Sequence, residues 1–372
     1  MKIGYLATFI TTVSLGLLSV GGFNTVIDSL WYFQGNQITG RNFSFDERLS
    51  KTNRFLNTYQ DKNYNCIILG SSRSTLLRED YLETKGDRCF NYSISAGIIE
   101  EYIEYANFLN SLDFKPERVY VGIDAFNFSR SFLPQNRDTQ ARLENILKKQ
   151  IAMPAPVYRA YLSWDVLAFN YRTTIQKQYT QSNYRFYDRK FQTKTLESLP
   201  AYKAKFKKKW KPIFCDPNKY QYYGVIRKIF PKAEIIGYVP PVASWKMFND
   251  FYMRNIANCM LSNLSKISEI YDEVYDFAMP SEITQNPKHT YDGSHFYLPV
   301  QEKIAEILVN QPQQQDQLFG YRVRGRSPQE YQQEFHKNMK TFVLSEDRED
   351  LWEEHLKRAP HEKTQPNPSG SH

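Results

Sequence analysis

Cysteine and histidine are scarce in this chain of 372 residues, which contains four of the first and six of the second. No two cysteines have the C-x-x-C spacing of common zinc-binding motifs. The sequence therefore argues against a zinc site, and we expect neither a metal nor a cofactor. We find no internal repeat either, which disfavours a solenoid or a propeller.

The four cysteines leave two interpretations open. In an exported domain they would form two disulfides. Alternatively, they are buried thiols, which behave as small apolar side chains. None of them stands in a pattern that indicates a catalytic cysteine. The four are Cys66, Cys89, Cys215 and Cys259, and the first two would lie on adjacent strands of the sheet predicted below.

Charged residues are also absent from residues 3–23. This run is long enough to cross the hydrocarbon core of a bilayer, which takes about 20 apolar residues in one helix. A cleaved signal peptide is the alternative, although the small residues at 19–22 make a poor cleavage site. With Lys2 on the inside, we predict a single-pass anchor over residues 1–25 and a periplasmic or otherwise extracytoplasmic domain after it.

The net charge of +8 is unevenly distributed. Residues 202–211, YKAKFKKKWK, carry six lysines with aromatic residues between them. Such a run suits a surface that binds nucleic acid, anionic lipid headgroups or an acidic polymer, and it equally suits the solvated face of an insertion. An exported domain would exclude nucleic acid, and we expect no nucleic-acid partner.

Apolar residues make up 41% of the chain, and short apolar runs alternate with segments of helical length. This alternation is typical of βαβ units. We therefore expect an α/β fold with a doubly wound, mainly parallel, five-stranded sheet. The predicted strands are 65–70, 88–93, 118–124, 233–240 and 273–278, and the predicted helices are 98–112, 220–230, 244–264 and 299–309.

Two regions fall outside this alternation. Residues 129–216 are too long for a connection between a strand and a helix, and we predict a largely helical insertion there. After residue 310 the composition becomes polar, so we assign residues 311–372 to an extension with an amphipathic helix at 328–357 and a disordered tail. The α/β domain itself then covers residues 26–310.

The first predicted strand ends in CIILGSSRST, residues 66–75, which raises the question of a serine nucleophile. Ligands of doubly wound sheets bind beyond the carboxyl ends of the strands, where Ser72 would stand. A serine nucleophile needs a base, and four of the six histidines lie after residue 310. Within the domain, His295 follows Asp292 by three residues in TYDGSHFY. A carboxylate so placed can orient the imidazole while its other nitrogen accepts a serine proton.

The same residues have ordinary structural interpretations. Ser72 would suit a helix N-cap, and Asp292 would suit an Asx turn ahead of Gly293. His295 could pack against Phe296.

Three blocks together resemble the SGNH, or GDSL-type, hydrolase superfamily: GSSRS at 70–74, NYSISAG at 91–97 and DGSHF at 292–296. The anchored layout is similar to SGNH-like proteins of extracytoplasmic polymer acylation, such as the alginate O-acetylation proteins and the D-alanyl transfer protein of the teichoic acid system. The resemblance covers residues 62–128 and 217–310. It implies a flavodoxin-like, three-layer α/β sandwich.

Under this resemblance Ser72 is the nucleophile, His295 is the general base and Asp292 orients the base. The backbone N–H groups of Ser72 and Gly97 would donate hydrogen bonds to the oxyanion. Removing one such donor from a site of this kind costs on the order of 10² to 10³ in rate.

One block departs from the family pattern. Where the family commonly has Gly-x-Asn-Asp, this chain has GIDA at 122–125, so Asp124 takes the place of the asparagine that donates to the oxyanion. A carboxylate cannot stabilise a developing negative charge, and we expect Asp124 to be a structural or binding group. Asn91 and Asn127 are candidate replacements. Arg73, beside the nucleophile, would bind a carboxylate or orient the loop.

The resemblance implies a serine-dependent O-acyltransferase, with acetyl as the expected acyl group and an envelope or secreted polysaccharide as the acceptor. The alternatives are an esterase that hydrolyses acyl esters and a catalytically reduced glycan-binding or scaffold protein. A transferase would receive its acyl group through a multi-pass membrane acyltransferase partner. The small residues of SLGLLSVGG, residues 14–22, would let a partner helix approach closely, or they are simply tolerated in a lone anchor.

Overall fold

The computed structural model describes residues 2–83, 86–129, 159–180, 184–207, 211, 213–312 and 318–358. The predicted disordered tail at the C-terminus and part of the predicted insertion lie outside the described residues. Everything below refers to the described part of the chain.

The fold is α/β with a mostly parallel sheet, as the sequence predicts. All five predicted strands form. The described strands are β1 (Cys66–Leu69), β2 (Cys89–Asn91), β3 (Arg118–Gly122), β4 (Arg185–Tyr187), β5 (Thr193–Thr195), β6 (Glu234–Val239), β7 (Glu273–Asp276) and β8 (Tyr321–Arg322). The principal helices are α1 (Lys2–Ile27), α2 (Glu47–Lys62), α3 (Glu79–Leu82), α4 (Ile99–Ser111), α5 (Trp164–Asn170), α6 (Tyr220–Ile229), α7 (Ser244–Met247), α8 (Ala257–Ile270), α9 (Leu298–Asn310), α10 (Pro328–Ser345) and α11 (Glu349–Arg358).

The main sheet has the order β2-β1-β3-β6-β7-β8. Strand β1 lies between β2 and β3 and is parallel to both, so the chain reverses its direction of progress across the sheet at β1. All four residues of β1 are buried, which fits an apolar run covered on both faces. The carboxyl ends of β1 and β3 therefore meet at the position where doubly wound folds bind ligands.

The prediction of five strands is wrong, because the described sheet has six and is mixed. Strand β8 joins the edge antiparallel to β7. It has only two residues, and the Arg322 guanidinium holds it by two hydrogen bonds of 2.7 Å to the Glu273 carboxylate. So short a strand has no periodicity that a sequence pattern can reveal.

Both pairs of cysteines are disulfide-bonded, which decides between the two interpretations left open by the sequence. Cys66 and Cys89 are directly opposed in the register of β1 and β2 and are joined to each other. Cys215 is joined to Cys259 on α8. Disulfides persist in oxidising compartments, so this finding agrees with an exported domain.

Two predicted helices are each divided. The segment predicted as one helix at 244–264 consists of α7, a π-helical turn at Phe248–Tyr252, and α8. Asn255, just before α8, is in the left-handed region at φ 61°. The segment predicted at 328–357 consists of α10 and α11, with Asp347 at φ 53° between them. Asn and Asp adopt this conformation more readily than other non-glycine residues, and it ends a helix.

The predicted insertion is not largely helical in its described part. Helix α5 and the wide turn Tyr171–Ile175 are followed by the antiparallel pair β4 and β5. Residues 201–207 then run without regular structure, with the lysines exposed and the residues between them partly buried. This alternation agrees with the solvated-face interpretation of the lysine run.

Residues 318–358 contribute to the same core as the sheet. Tyr331 of α10 is fully buried and donates a 2.6 Å hydrogen bond to Oδ2 of Asp276 at the end of β7. Phe335, Met339 and Val343 of the same helix are buried as well. The polar composition of this segment belongs to its outer face.

Helix α1 is long and apolar enough over Gly4–Ile27 to cross a membrane, with a mean hydropathy of 1.7. A signal sequence near an N-terminus has the same properties. The side chains of this segment are mostly exposed.

Candidate active site

Ser72 lies in a series of tight turns that follow the carboxyl end of β1. The Ser74 N–H donates to the Ser71 carbonyl at 3.0 Å, and the Leu77 N–H donates to the Ser74 carbonyl at 3.1 Å. A Cβ atom at Gly70 would overlap the Ser74 side chain, so the turn requires glycine there. Ser72 is half-buried and is not a helix cap, because the next helix begins only at Glu79.

Ser72, His295 and Asp292 are hydrogen-bonded in series. The Ser72 Oγ atom lies 2.9 Å from His295 Nε2, and His295 Nδ1 lies 2.7 Å from Asp292 Oδ2. The side chains of His295 and Asp292 are 17% and 14% exposed, so the site is largely enclosed but reachable. This is the arrangement in which a histidine can take a proton from a serine while a carboxylate fixes its tautomer.

Asp292 has two roles in one short loop. Its Oδ1 atom accepts hydrogen bonds of 2.8 Å from the N–H groups of Ser294 and His295, which is the Asx turn considered as a structural interpretation. Its other oxygen contacts the imidazole. The His295 ring stacks on Tyr291 at 5.5 Å between centroids, rather than on Phe296.

The glycine in this loop is required by the backbone and by a neighbour. Gly293 has φ 81°, a conformation that other residues rarely adopt. Tyr202, from the start of the lysine run, lies so close that a Cβ atom at Gly293 would overlap its ring. The insertion therefore packs directly on the loop that carries His295.

The electrostatics of the site favour a neutral imidazole and an ionised carboxylate. Burial lowers the pKa of His295; Asp292 raises it, but the nearby cations Arg185 and Arg73 lower it further, and the net shift is downward. Burial by itself raises the pKa of Asp292, but His295 and the two backbone N–H groups hold it well below its usual range. Near neutral pH His295 is thus able to accept a proton.

Arg73, beside Ser72, forms a largely buried pair with Asp124. The Arg73 guanidinium contacts Asp124 Oδ1 at 3.1 Å and donates to the Ser294 hydroxyl at 3.4 Å. Asp124 is fully buried, and its pKa is raised by burial, a shift that Arg73 opposes. These contacts agree with a structural Asp124 and with an Arg73 that orients the loops.

Two of the predicted donors to an oxyanion have other partners. The Gly97 N–H donates to the Ile94 carbonyl at 3.0 Å, so its predicted role is corrected to closing a turn. The Asn91 amide donates to the carbonyls of Ser74 and Leu77 at 3.0 and 2.6 Å, which braces the turns after Ser72.

Asn127 is buried, and its Oδ1 atom accepts from the N–H of Ile99 at 3.1 Å, at the start of α4. The Asn127 NH₂ group lies beside the Tyr223 hydroxyl in the interior, and its role as a replacement for the missing asparagine of the third block stays a prediction. The Asn91 amide holds local structure instead.

Arg185, on β4, is a site residue that the sequence did not indicate. Its guanidinium donates to the Ser72 carbonyl at 2.7 Å and to the Ser95 hydroxyl at 2.9 Å, and it also contacts Thr75. Arg185 thereby joins the turns after β1 and β2. Nothing local distinguishes it from other arginines of the insertion, because its partners lie about a hundred residues away.

Glu47 at the start of α2 completes this network. Its carboxylate accepts from the Ser95 N–H and from the Tyr187 hydroxyl. Burial raises its pKa, but Arg185 and Lys51 together with these hydrogen bonds lower it to about 2. Glu47 is thus a fixed anion that neutralises Arg185.

A cavity of about 620 Å³ extends from Ser95 and Arg185 away from the sheet. Its wall combines aromatic rings with hydroxyl, amide and charged groups, and most of it comes from the segment before α2 and from the insertion. The lining residues include Phe45, Arg48, Phe169, Arg172, Tyr179 and Tyr187. A mixed lining of this kind suits a polar organic ligand.

No protein-family model matches the chain, and no curated protein matches it. The chemistry of the site is therefore inferred from its own residues.

Proposed function

We propose that this protein is an SGNH-like, extracytoplasmic O-acyltransferase that acts through an acyl-Ser72 intermediate. The observation that carries the proposal is the hydrogen-bonded series from Ser72 through His295 to Asp292, at 2.9 and 2.7 Å. The strand order of the parallel strands and the location of Ser72 at the carboxyl end of β1 support a flavodoxin-like, three-layer arrangement.

The reaction has two halves. In the first, Ser72 Oγ attacks the acyl carbonyl while His295 Nε2 takes the hydroxyl proton, and the bond to the donor breaks as the leaving group receives that proton. In the second, His295 takes a proton from an acceptor hydroxyl, whose oxygen attacks the acyl group. The proton returns to Ser72 as the acyl-serine bond breaks.

The oxyanion would be stabilised by backbone donors. Strand β2 continues beside β1 until the Ile94 N–H meets the Gly70 carbonyl at 2.9 Å, so the next residues of the two turns leave the sheet side by side. Ala96 is exposed and has φ 53°. We assign the N–H groups of Ser72 and Ala96 to the oxyanion, in place of Gly97.

The acceptor proposed here is a polysaccharide of the cell envelope or a secreted one, with acetyl as the acyl group. Support comes from the cavity, whose aromatic and hydrogen-bonding wall suits a polyhydroxylated chain. Arg185 links this cavity to the turn that bears Ser72. Hydrolysis of an acyl ester uses the same residues with water as acceptor, and is the alternative reaction.

Trapping the intermediate tests the proposal. Full-length protein is mixed with p-nitrophenyl acetate, and its peptides are analysed by mass spectrometry. We expect an acetyl group on the peptide that contains Ser72. Ser72→Ala should lose it, whereas the control Ser345→Ala, at the exposed end of α10, should keep it. Absence of acylation in the unaltered protein would favour a glycan-binding or scaffold protein.

The acceptor is tested separately. Phe169→Ala removes an aromatic wall of the cavity without touching the catalytic series. We expect this variant to transfer less acetyl to an added oligosaccharide while hydrolysing the small ester at the normal rate. Equal transfer by both proteins would remove the cavity from the proposal.

The acyl donor would be a multi-pass membrane acyltransferase that contacts α1. Replacing the apolar part of α1 by polyleucine of equal length tests this contact in cells. Loss of polymer acylation, with normal export and normal ester hydrolysis, would support docking through the small residues. Full acylation would show that α1 serves as an anchor only.

A further inference from the structure

The segment from Leu162 to Ile175 presents an exposed apolar face. Leu162, Trp164, Tyr171 and Ile175 are 45%, 75%, 48% and 54% exposed. The last three follow one another at intervals of seven and four residues, which keeps them on one side of a helix. Soluble surfaces rarely expose a contiguous apolar patch of this kind without a partner.

The same segment is bonded to the C-terminal part of α1. The Asn24 amide donates to the Tyr161 carbonyl at 2.7 Å, and the Asn170 amide donates to Asn24 Oδ1 at 3.0 Å. Leu162 also lies against Gly21. Because Tyr161 and Asn170 both reach Asn24, the helix between them lies at the level of Asn24 along α1.

The length of α1 gives the position of Asn24 relative to the hydrocarbon core. A hydrocarbon core about 30 Å thick corresponds to about 20 residues at a rise of about 1.5 Å each. Counted from Gly4, where the apolar stretch begins, the core ends close to Asn24. The segment bonded to Asn24 is therefore at the boundary between lipid and water.

Its composition suits that boundary. Trp and Tyr are enriched at membrane interfaces, and interfacial helices combine an apolar face with basic residues. Arg159, Arg172 and Lys177 are exposed on or beside the segment, against one exposed acid, Asp165. The excess of positive charge favours a surface with anionic headgroups.

We propose that residues 162–175 lie in the membrane interface, with Trp164, Tyr171 and Ile175 immersed in the lipid beside α1. The domain would then have a fixed orientation on the bilayer, because it would contact the lipid through this segment as well as through α1. Phe169 and Arg172 of the same segment line the cavity next to the active site, so the cavity opens beside the membrane surface. The inference requires α1 to cross a bilayer and does not depend on acyl transfer.

Spin labels on single introduced cysteines test whether residues 162–175 lie in the membrane interface. The four native cysteines are all in disulfides, so an added cysteine is labelled selectively. The full-length chain carrying Trp164→Cys or Ile175→Cys is placed in nanodiscs of phosphatidylcholine and phosphatidylglycerol. Lys337→Cys, on an exposed face of α10, is the matched control. Collision rates with oxygen and with a water-soluble nickel complex then report the depth of each label.

We expect labels at 164 and 175 to collide more with oxygen and less with nickel than the label at 337. Labels at 164 and 175 that are as accessible to nickel as the control would overturn the proposal and would indicate that this face is in water. Low collision rates with both reagents would overturn it as well, and would indicate that a protein covers this face. Each variant must first show the thermal unfolding midpoint of the unaltered chain. The measurement does not use ester hydrolysis by Ser72. A protein without that activity would therefore give the same label depths.

Discussion

The Ser72 hydroxyl lies 2.9 Å from His295 Nε2 although 223 residues separate the two along the chain. The contact depends on two loops that share one support. Arg73, next to Ser72, reaches Ser294, next to His295, and is itself paired with the buried Asp124. Ser72 and His295 are thus held by their neighbours as well as by their own hydrogen bond.

Replacing Asp292 by asparagine should separate its two roles. The amide oxygen can still accept from the N–H groups of Ser294 and His295, so the loop should fold normally. The amide NH₂ cannot accept a hydrogen bond from the Nδ1–H group of His295 and would favour the wrong tautomer of its ring. This should lower kcat by about 10⁴, as in serine proteases. Ester hydrolysis and circular dichroism measure the two effects. Near-normal kcat in a folded variant would show that Asp292 has only its structural role.

Arg185 should contribute to the position of the acidic limb of the pH profile. Because the net shift of the His295 pKa is downward, kcat/KM should rise with pH to a plateau, with an apparent pKa below 6.5. Arg185→Gln removes a positive charge that disfavours the imidazolium, so the limb should move to higher pH. Arg185→Lys keeps the charge and is the control. A limb that stays in place in Arg185→Gln would contradict this electrostatic coupling.

The Arg73–Asp124 pair should matter for stability far more than a surface pair. Asp124→Ala leaves the Arg73 charge largely buried without its partner, which costs about 3–5 kcal/mol. Glu197 pairs with Arg41 at 3.2 Å with both side chains exposed, and Glu197→Gln should cost less than about 1 kcal/mol. Urea unfolding measures both. Similar midpoints for the two variants would mean that water reaches Arg73.

Asp124→Asn addresses catalysis instead. This change restores the residue type that the resembled family has at this position, and its amide can donate. If the third block limited the rate, turnover of the ester would rise. We expect a fall, because Asp124 is committed to Arg73 rather than aimed at the site.

Both disulfides should stabilise the domain. They close loops of 23 and 44 residues, for which chain entropy gives about 3–4 kcal/mol each. Cys66→Ala with Cys89→Ala, and Cys215→Ala with Cys259→Ala, should each lower the free energy of unfolding by this order. Reducing agent should lower the unfolding midpoint of the unaltered protein, and should leave that of the quadruple alanine variant unchanged. An insensitive unaltered protein would indicate free thiols.

The elements whose signal is local were predictable from the sequence. The five apolar strands were predictable from runs such as CIIL and EIIGYV, and the helical region at 328–357 from its amphipathic pattern. The pairing of Asp292 with His295 was predictable for the same reason, since three residues of one loop separate them. Ser72 could be placed beside them because parallel strands present their carboxyl ends at one edge.

The rest of the site depends on contacts between segments that are distant in the sequence. Arg185 and Glu47 contact the turns after β1 and β2 from segments with no motif, and the two-residue strand β8 has no pattern at all. Gly97 was misassigned because its N–H closes a turn, which a glycine in a sequence does not reveal. In each case the deciding contact joins groups whose chemistry is common throughout the chain. These groups form a site only because the packing of the whole domain brings them together.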